Sequence, residues 1–391
     1  MSIRLGIVGF GLRSSSLIAG WAKDPLLDFR VAGIVDPNEA GARDRLVERD
    51  KKDAKFYSSL DEMVRHGRLD GLMIGTRCHM HADIAAQAAK YDIPLFLEKP
   101  VAINMDQALS LEKAFTNSRC RVIVSFPLRV SPLCRLARQL IEEGAVGSPQ
   151  HVHAVNYVAY GAVYWQEEYR NYAITQGLFL QKATHDLDYI SYLMGSPIVR
   201  IGAMANFGKV MGGQKPSGLK CSECAEQASC NESPRNRAKS GTAFPQDHPC
   251  VFSVDCGNAQ TGTNEDCSSA LFEFANGSHG VYSQVFFARR DAAARGAIVS
   301  GYDGTVSFDW YKNQVTHVRH HQPFTDTIKA GEGMAHFGGD TELAFAFEGL
   351  IKGSGEGPCP IAVGLQSVYA CLGAKESVRT GQFVKVRQVQ L

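Results

Sequence analysis

IRLGIVGFG, residues 3–11, is a run of strand-forming apolar residues that ends in a glycine turn. Four more strand-like segments follow it, at residues 29–36, 69–76, 93–100 and 120–126. A helical pattern, MHADIAAQAAKY (80–91), lies between two of them. Alternation of strands and helices is typical of a parallel sheet covered by helices. The sequence therefore predicts an α/β, Rossmann-like domain over residues 1–124.

The composition is that of an ordinary globular protein with balanced charge. The 391 residues are 45% hydrophobic, and 41 Lys and Arg nearly cancel 40 Asp and Glu. No long block of one sign occurs, so a small-molecule partner is favoured over nucleic acid or a membrane surface. No apolar run approaches the roughly 18 residues that span a bilayer, and the N-terminal stretch lacks a convincing signal-peptide cleavage site. We expect a cytoplasmic protein whose 11 cysteines are not a disulfide framework.

The glycine turn fits the dinucleotide-binding pattern G-x-G-x-x-G, except that Ser14 replaces the last glycine. Asp36 ends the second strand-like segment 25 residues after Gly11, where a carboxylate would accept hydrogen bonds from ribose hydroxyls and repel a 2′-phosphate. NAD is therefore favoured over NADP. The alternative is that the glycines serve only close packing and that Asp36 starts an Asp-Pro turn. The expected cofactor contacts in this turn are Gly9, Phe10, Gly11, Leu12 and Arg13.

Glu98-Lys99-Pro100 ends the strand-like segment 93–100 on two opposite charges and a proline. Ligands of doubly wound sheets bind outside the carboxyl ends of the strands. Partial burial near a positively charged nicotinamide would favour the neutral amine of Lys99, which could then exchange a proton near neutral pH. A cis Lys99-Pro100 bond would fix the direction of the lysine. The alternative is a surface Glu-Lys pair that ends a strand.

Several motifs in this order resemble the Gfo/Idh/MocA oxidoreductases, and the resemblance covers nearly the whole chain. They include GIVGFG (6–11), T-x4-H from Thr76 to His81, EKP (98–100) and HFGGDTELAFAFEGLI (336–351). The resemblance implies a C-terminal domain built on a large open, mostly antiparallel sheet, a site between the domains, and a homo-oligomer, either a dimer or a tetramer. It also adds Thr76, His81, Glu98 and Lys99 to the expected cofactor contacts.

Residues 125–391 independently read as an α+β domain for substrate binding and oligomerisation. Its β-rich segments are 151–160, 268–275, 279–287, 296–302 and 305–311. Asn276-Gly277 is a strong two-residue hairpin signal. Helical patterns at 341–351 and 363–378 are expected to pack beside the sheet.

LQKATHDLDY, residues 180–189, is expected to carry the second half of the chemistry. On a helix, Lys182, His185 and Asp188 share one side. In the resembling family the stretch reads D-x-G-x-H-x-x-D, so His185 and Asp188 match while Gln181 stands where an aspartate is usual. The catalytic candidates are Lys99, His185 and Lys182, where Lys182 would compensate for Gln181. The alternative is an ordinary i,i+4 ion pair between Lys182 and Asp186.

Several other polar and aromatic residues are candidate substrate contacts. These are Arg129, Tyr160, Gln181 and Asp188, with Tyr157 and Trp165 as further aromatic candidates. For each of these aromatic residues, the alternative role is core packing.

Residues 208–250 form an insertion that is poor in large apolar residues and too long for a plain connection. Cys221, Cys224, Cys230 and Cys250, with His248 nearby, have a spacing that could hold structural zinc or an iron-sulfur cluster. Loose thiols and redox-sensitive pairs are the alternatives.

The function expected from these residues is reversible oxidation of a secondary alcohol on a sugar, glycoside or cyclitol by NAD. Lys99 would act as acid/base or stabilise the developing alkoxide, and His185 would be its relay. Two other functions stay open: a redox-neutral glycosidase that keeps NAD bound, and a non-catalytic sugar or nucleotide sensor.

Overall fold

The structure is a computed structural model that describes residues 2–166, 168–239, 247–256, 263–329 and 335–391. The chain divides into two compact units. Unit 1 comprises Met1–Arg135, Glu332–Tyr369 and Arg387–Leu391, and unit 2 comprises Leu136–Gly331 and Ala370–Val386. The sequence-based division at 124/125 differs from these units, because it assigns the returning C-terminal segments of unit 1 to the second domain.

Unit 1 begins with alternating strands and helices. The first elements are β1 (Ile3–Val8), α1 (Leu12–Trp21), β2 (Phe29–Val35), α2 (Glu39–Arg45), β3 (Lys55–Phe56), α3 (Leu60–Gly67), β4 (Gly71–Ile74), α4 (His81–Ala88), β5 (Leu95–Leu97), α5 (Met105–Phe115), β6 (Val122–Val124), α6 (Pro127–Val130) and α7 (Pro132–Glu142).

The six strands form one parallel sheet in the order β3-β2-β1-β4-β5-β6. Every residue of β4, β5 and β6 is buried, as expected of a parallel sheet covered on both faces. The predicted Rossmann-like domain is confirmed, and the order reverses beside β1, which is where doubly wound sheets bind ligands.

The remaining elements follow in chain order. They are β7 (His151–Tyr157), α8 (Val163–Gln166), α9 (Tyr172–Thr175), α10 (Thr184–Met194), β8 (Ile198–Asn206), α11 (Pro234–Lys239), β9 (Cys267–Phe274), β10 (His279–Val285), β11 (Ala294–Ser300), β12 (Gly304–Asp309), β13 (Gln314–Arg319), β14 (Thr325–Lys329), α12 (Gly339–Ile351), α13 (Ile361–Thr380) and β15 (Val384–Lys385).

Unit 2 is built on a nine-stranded sheet in the order β14-β13-β12-β11-β7-β10-β9-β8-β15. Only the β7–β10 pair is parallel, and the other pairs are antiparallel. Asn276-Gly277 lies in the turn of the β9–β10 hairpin, with Gly277 at φ +83°. Burial alternates along β9, which indicates one covered and one open face. The predicted large, open, mostly antiparallel sheet is confirmed.

Helix α12 packs within unit 1, whereas the sequence predicted that it lies beside the large sheet. The ring of Phe347 stacks on Phe29 at 6.0 Å and meets Phe96 edge-on at 5.6 Å. The Trp21 indole donates to the carbonyl of Asp340, the second residue of α12. Pattern alone could not choose between two sheets, because each offers an apolar face to the same helix.

The described part of the insertion 208–250 is held by hydrogen bonds rather than by a large core. The Asp266 carboxylate accepts from the backbone N–H groups of Lys209, Val210 and Met211 at 2.7–3.1 Å. Met211 is buried in a small cluster with Trp165 and Phe286. Residues 240–246 of the insertion lie outside the described residues. Across the ranges that the structure describes, no helix has the length and apolarity needed to cross a membrane.

Candidate functional site

The glycine turn follows β1 and leads into α1. Gly9 has φ +82°, and a Cβ on it would lie 2.7 Å from backbone atoms of Thr76, so only glycine fits there. Gly11 is the N-cap of α1 without a side-chain cap, and a Cβ on it would meet nothing within 4 Å. The helix therefore opens with uncapped N–H groups beside open space, which is a suitable place for a phosphate.

Ser14 occupies the third glycine position, and its side chain does not fill the space beside the turn. Its hydroxyl donates to the carbonyl of Gly9 at 2.8 Å, and the side chain is fully buried. A Cβ on Gly75 would collide with this hydroxyl. The close packing that a third glycine usually allows is provided instead by Gly75 on the neighbouring strand connection.

Asp36 lies directly after β2 and is half-buried. Its carboxylate accepts from the backbone N–H of Phe10 and of Asn38, both at 2.8 Å, and so connects the end of β2 to the glycine turn. The two arginines of α2 are engaged elsewhere: Arg43 pairs with Glu39 at 2.6 Å, and Arg45 donates to the Phe10 carbonyl at 3.0 Å.

The Arg13 guanidinium is held by two carboxylates of unit 1. It contacts Glu98 at 2.9 Å and Asp340 at 2.7 Å, and the His336 ring lies 2.8 Å from Asp340. Burial alone would raise the pKa of Asp340, but the hydrogen bonds and charges of Arg13 and His336 hold it well below its ordinary value. Glu98 also accepts from the Ser125 hydroxyl at 2.9 Å. The backbone N–H of Arg13 can therefore bind an anion, while the side chain of Arg13 fixes the start of the EKP turn.

The EKP turn follows β5 and contains the cis Lys99-Pro100 bond that the sequence allowed. His81 is buried behind it, with Nδ1 at 2.8 Å from the Pro100 carbonyl and Nε2 at 3.0 Å from the Thr76 carbonyl. Burial lowers the pKa of His81, so a neutral ring donates to one carbonyl at a time. The charge of Lys99 also acts on Cys78 and His81. The T-x4-H motif therefore braces the turn that carries Lys99.

In unit 2, a π-helical turn over Phe179–Ala183 leads directly into α10. Such turns are frequent at functional sites, because they insert an extra residue into the helical ladder. All five residues of the turn are buried, including Gln181 and Lys182. The Lys182 ammonium donates to the Tyr160 hydroxyl at 2.6 Å. The expected alternative, an ion pair between Lys182 and Asp186, is not the arrangement observed.

Asp186 is instead the centre of a buried polar network. Its carboxylate contacts Arg295 at 2.8–2.9 Å and accepts from the Asn156 amide at 2.9 Å and the Tyr282 hydroxyl at 2.8 Å. These partners come from β11, β7 and β10, which lie side by side in the sheet. Sequence reasoning missed these partners, because residues so far apart along the chain form no local pattern. The one available signal was that each residue occupies a position on the buried face of its strand.

The other predicted substrate contacts have different environments. Asp188 and His185 are buried on α10, and Arg129 is half-buried on α6. Tyr157 is half-buried in β7, whereas Trp165 is only 1% exposed and packs edge-on against Phe286. Trp165 therefore belongs to the core, as its alternative role predicted.

The predicted metal site is not supported by the structure. Within the described residues, no group of three or more His, Cys, Asp or Glu side chains is arranged to hold a metal ion. Burial raises the pKa of the Cys221 thiol to about 11, and the nearby Cys230, Cys250 and Cys224 add to this shift. His248 is engaged, at 2.9 Å from the Pro249 carbonyl.

Curated relatives match only part of this chain and of their own length. The rhizopine catabolism protein MocA of Rhizobium meliloti is 24% identical over 192 residues, which are 49% of this chain and 57% of that protein. Myo-inositol 2-dehydrogenase of Thermotoga maritima is 23% identical over 203 residues, which are 51% of this chain and 58% of that protein. Across eight of the curated relatives that it matches, the chain spans 36% to 58% of the relative's own length.

Solved structures align over essentially the whole chain. A levoglucosan dehydrogenase in complex with NADH superposes with a TM-score of 0.78 at 18% identity and covers 100% of both chains. An oxidoreductase domain protein from Kribbella flavida gives a TM-score of 0.78 at 16% identity and covers 99% of this chain and 100% of its own. At these identities the likeness shows the fold.

Family models identify both parts of the sequence. The model of the oxidoreductase family with an NAD-binding Rossmann fold matches residues 3–126, and the GFO/IDH/MocA C-terminal domain model matches residues 134–307. Together with the two sheets described above, these matches show that the chain belongs to the GFO/IDH/MocA family of oxidoreductases.

Proposed function

We propose that this chain is an NAD-dependent dehydrogenase that moves a hydride between a secondary alcohol of a sugar, glycoside or cyclitol and the nicotinamide. The observation that carries the proposal lies in unit 1. An uncapped helix N-terminus follows β1, and the turn that holds Lys99 follows β5, so both lie at the carboxyl edge of one parallel sheet. Ligands of such sheets bind at this edge.

The residues of the glycine turn fit a dinucleotide. The N–H groups that open α1 would hold the pyrophosphate, and Asp36 would accept hydrogen bonds from the ribose. A 2′-phosphate would meet the Asp36 carboxylate, while Arg43 and Arg45 are bonded to other groups. These contacts support NAD over NADP. When bound, the oxidised cofactor supplies the hydride acceptor.

Lys99 is proposed to act on the hydroxyl oxygen of the substrate. Its turn is fixed by His81 and by the Glu98–Arg13 pair, so the backbone that carries Lys99 is held in place. A positioned cation stabilises the negative charge that develops on the oxygen when the C–H bond breaks. His185, at the start of α10, is proposed as a relay for the proton.

The substrate class is proposed from the polar side chains and from the names of relatives. Arg129, Gln181 and Asp188 are hydrogen-bonding groups suited to hydroxyls, and the relatives include a myo-inositol 2-dehydrogenase. A levoglucosan dehydrogenase has the same fold. Both named substrates are cyclic polyols or sugar derivatives. A cytoplasmic location and a homo-oligomer stay predictions.

The test is the appearance of reduced nicotinamide when the purified protein meets oxidised NAD and pooled sugars, cyclitols and glycosides. Lys99→Met should lower the rate by about 10² to 10⁴ while NADH binding is retained. Lys23→Met, which removes an exposed lysine of the same unit, is the matched control. NADH binding without reduction by any member of the pool would contradict the dehydrogenase assignment. Equal rates for the Lys99 and Lys23 variants would remove Lys99 from the mechanism.

A further inference from the structure

Tyr160 and Lys182 form a pair that combines a partly exposed tyrosine with a buried lysine. The Lys182 Nζ lies 2.6 Å from the Tyr160 hydroxyl and 5.0 Å from the centre of its ring. Lys182 is 7% exposed, whereas Tyr160 is 42% exposed. The Tyr160 side chain is therefore partly exposed on unit 2, while the cation that contacts its hydroxyl is fixed inside the unit.

The placement of Lys182 follows from the π-helical turn. The turn ends at Ala183, immediately before α10. The Lys182 ammonium also lies 5.8 Å from the centre of the Tyr164 ring. Burying a cation is costly unless negative charge or hydrogen bonds compensate. Asp186, the acid one turn further on, is already bonded to Arg295. The Tyr160 phenol, 2.6 Å away, is a group beside Lys182 that can become an anion.

The charges that face Tyr160 come from several elements. Lys182 from the π-helical turn and Arg295 from β11 are positive, and Asp186 from α10 is negative. Tyr164 from α8 and Tyr311, two residues after β12, are the other titratable neighbours. Two positive charges and one negative charge therefore act on the phenol, and the cation of Lys182, in direct contact with its oxygen, makes the local field positive.

This field distinguishes Tyr160 from the neighbouring tyrosines. The charge of Lys182 is the largest cause that lowers the pKa of Tyr160, and it outweighs the burial that would raise it. Burial raises the pKa of Tyr164 and Tyr282 well above the ordinary value, and that of Tyr311 to about 12. Proton transfer is most effective when the pKa of the group approaches the working pH.

We propose that the Tyr160 hydroxyl is the acid/base group of the reaction and that Lys182 is the positioning residue that favours its phenolate. In the oxidation direction the C–H bond of the alcohol would break, and oxidised NAD, when bound, would accept its electron pair as hydride. The O–H bond of the alcohol breaks at the same carbon, its proton passes to the Tyr160 oxygen, and a C=O bond forms. The phenol afterwards returns the proton to water. Gln181, which cannot transfer a proton, precedes Lys182 directly. This inference rests on the proposed function.

The first measurement requires neither substrate nor cofactor. Tyrosinate formation is followed by ultraviolet difference spectroscopy during a pH titration of wild type, Tyr160→Phe and Lys182→Met. The difference between wild type and Tyr160→Phe should show one phenol that titrates below the ordinary value of about 10. In Lys182→Met this titration should move to higher pH. A Tyr160 that titrates at or above the ordinary value would overturn the proposal.

The second measurement is the pH profile of the oxidation rate with an alcohol that wild type oxidises. The rate should rise with pH as Tyr160 ionises, and Tyr160→Phe should lose this rise and about 10²- to 10⁴-fold in rate while NADH binding is kept. Lys182→Met should shift the rise to higher pH, and Lys182→Arg should restore it in part. Tyr302→Phe, which removes a 77% exposed phenol of the same unit, is the matched control.

The two proposals fail separately. A wild type that oxidises alcohols while Tyr160→Phe stays within about threefold, with its pH rise intact, would overturn the role of Tyr160 and leave the dehydrogenase assignment standing. A wild type that binds NADH but oxidises no alcohol would overturn the proposed function and, with it, the role of Tyr160 in that reaction.

Discussion

The buried pair of Asp186 and Arg295 makes the most quantitative prediction. Asp186 is fully buried and Arg295 is 4% exposed, so neither charge can be rescued by water. Arg295→Met removes the guanidinium that contacts the carboxylate at 2.8–2.9 Å and leaves only the neutral donors Asn156 and Tyr282. Breaking a buried pair from one side costs about 3–5 kcal/mol of unfolding free energy. We expect a loss of this size for Arg295→Met.

The assay is denaturant unfolding followed by tryptophan fluorescence. Trp21 belongs to unit 1, whereas Trp165 and Trp310 belong to unit 2, so a Trp21→Phe background makes the fluorescence report on unit 2. The double variant Asp186→Asn/Arg295→Met tests the coupling. It should cost less than the sum of the two single variants by about 2 kcal/mol or more, because neither charge is then left alone. A loss below about 1 kcal/mol for Arg295→Met, or additive costs in the double variant, would refute the reasoning.

Three further predictions concern unit 1. Gly9→Ala should destabilise the protein by more than about 1 kcal/mol, because Gly9 has a positive φ and lies against the Thr76 backbone. Gly11→Ala should keep the stability and weaken NADH binding, because a Cβ there would enter open space. Denaturant unfolding measures the stabilities and fluorescence titration measures NADH binding, and equal stability losses for the two variants would contradict this difference. Asp340 has a pKa held below its ordinary value of 3.8, so its stabilising contribution is present above that pH and is lost as pH falls further. The free energy of unfolding, measured between about pH 2 and 7, should therefore decrease less steeply towards low pH for Asp340→Asn than for wild type. Parallel curves for the two proteins would contradict this. Asp36→Ser should weaken NADH binding and improve NADPH binding, as measured by parallel titrations, and an unchanged ratio of the two affinities would remove Asp36 from cofactor selection.

Local motifs were sufficient for much of the candidate site in unit 1. The glycine turn, Asp36 and Lys99 each lie at the end of an apolar run, and the carboxyl ends of parallel strands meet at one edge of a sheet. The brace behind Lys99 was not predictable in this way. His81 and Thr76 stay predicted cofactor contacts, and the structure adds that the His81 ring lies within 3.0 Å of the Thr76 and Pro100 carbonyls. A motif records which residues recur together and not which atoms they bind.

The sequence by itself determined the two sheet types of this protein, because strand and helix periodicity and turn residues act over a few neighbouring positions. It also marked Lys182 as unusual beside Gln181. Only the tertiary structure decided that α12 packs in unit 1, that Asp186 pairs with Arg295, and that Lys182 is bonded to Tyr160. These partners lie on separate strands and helices. Their pairing depends on strand order, register and burial, which bring distant residues into contact and set the charge around each one.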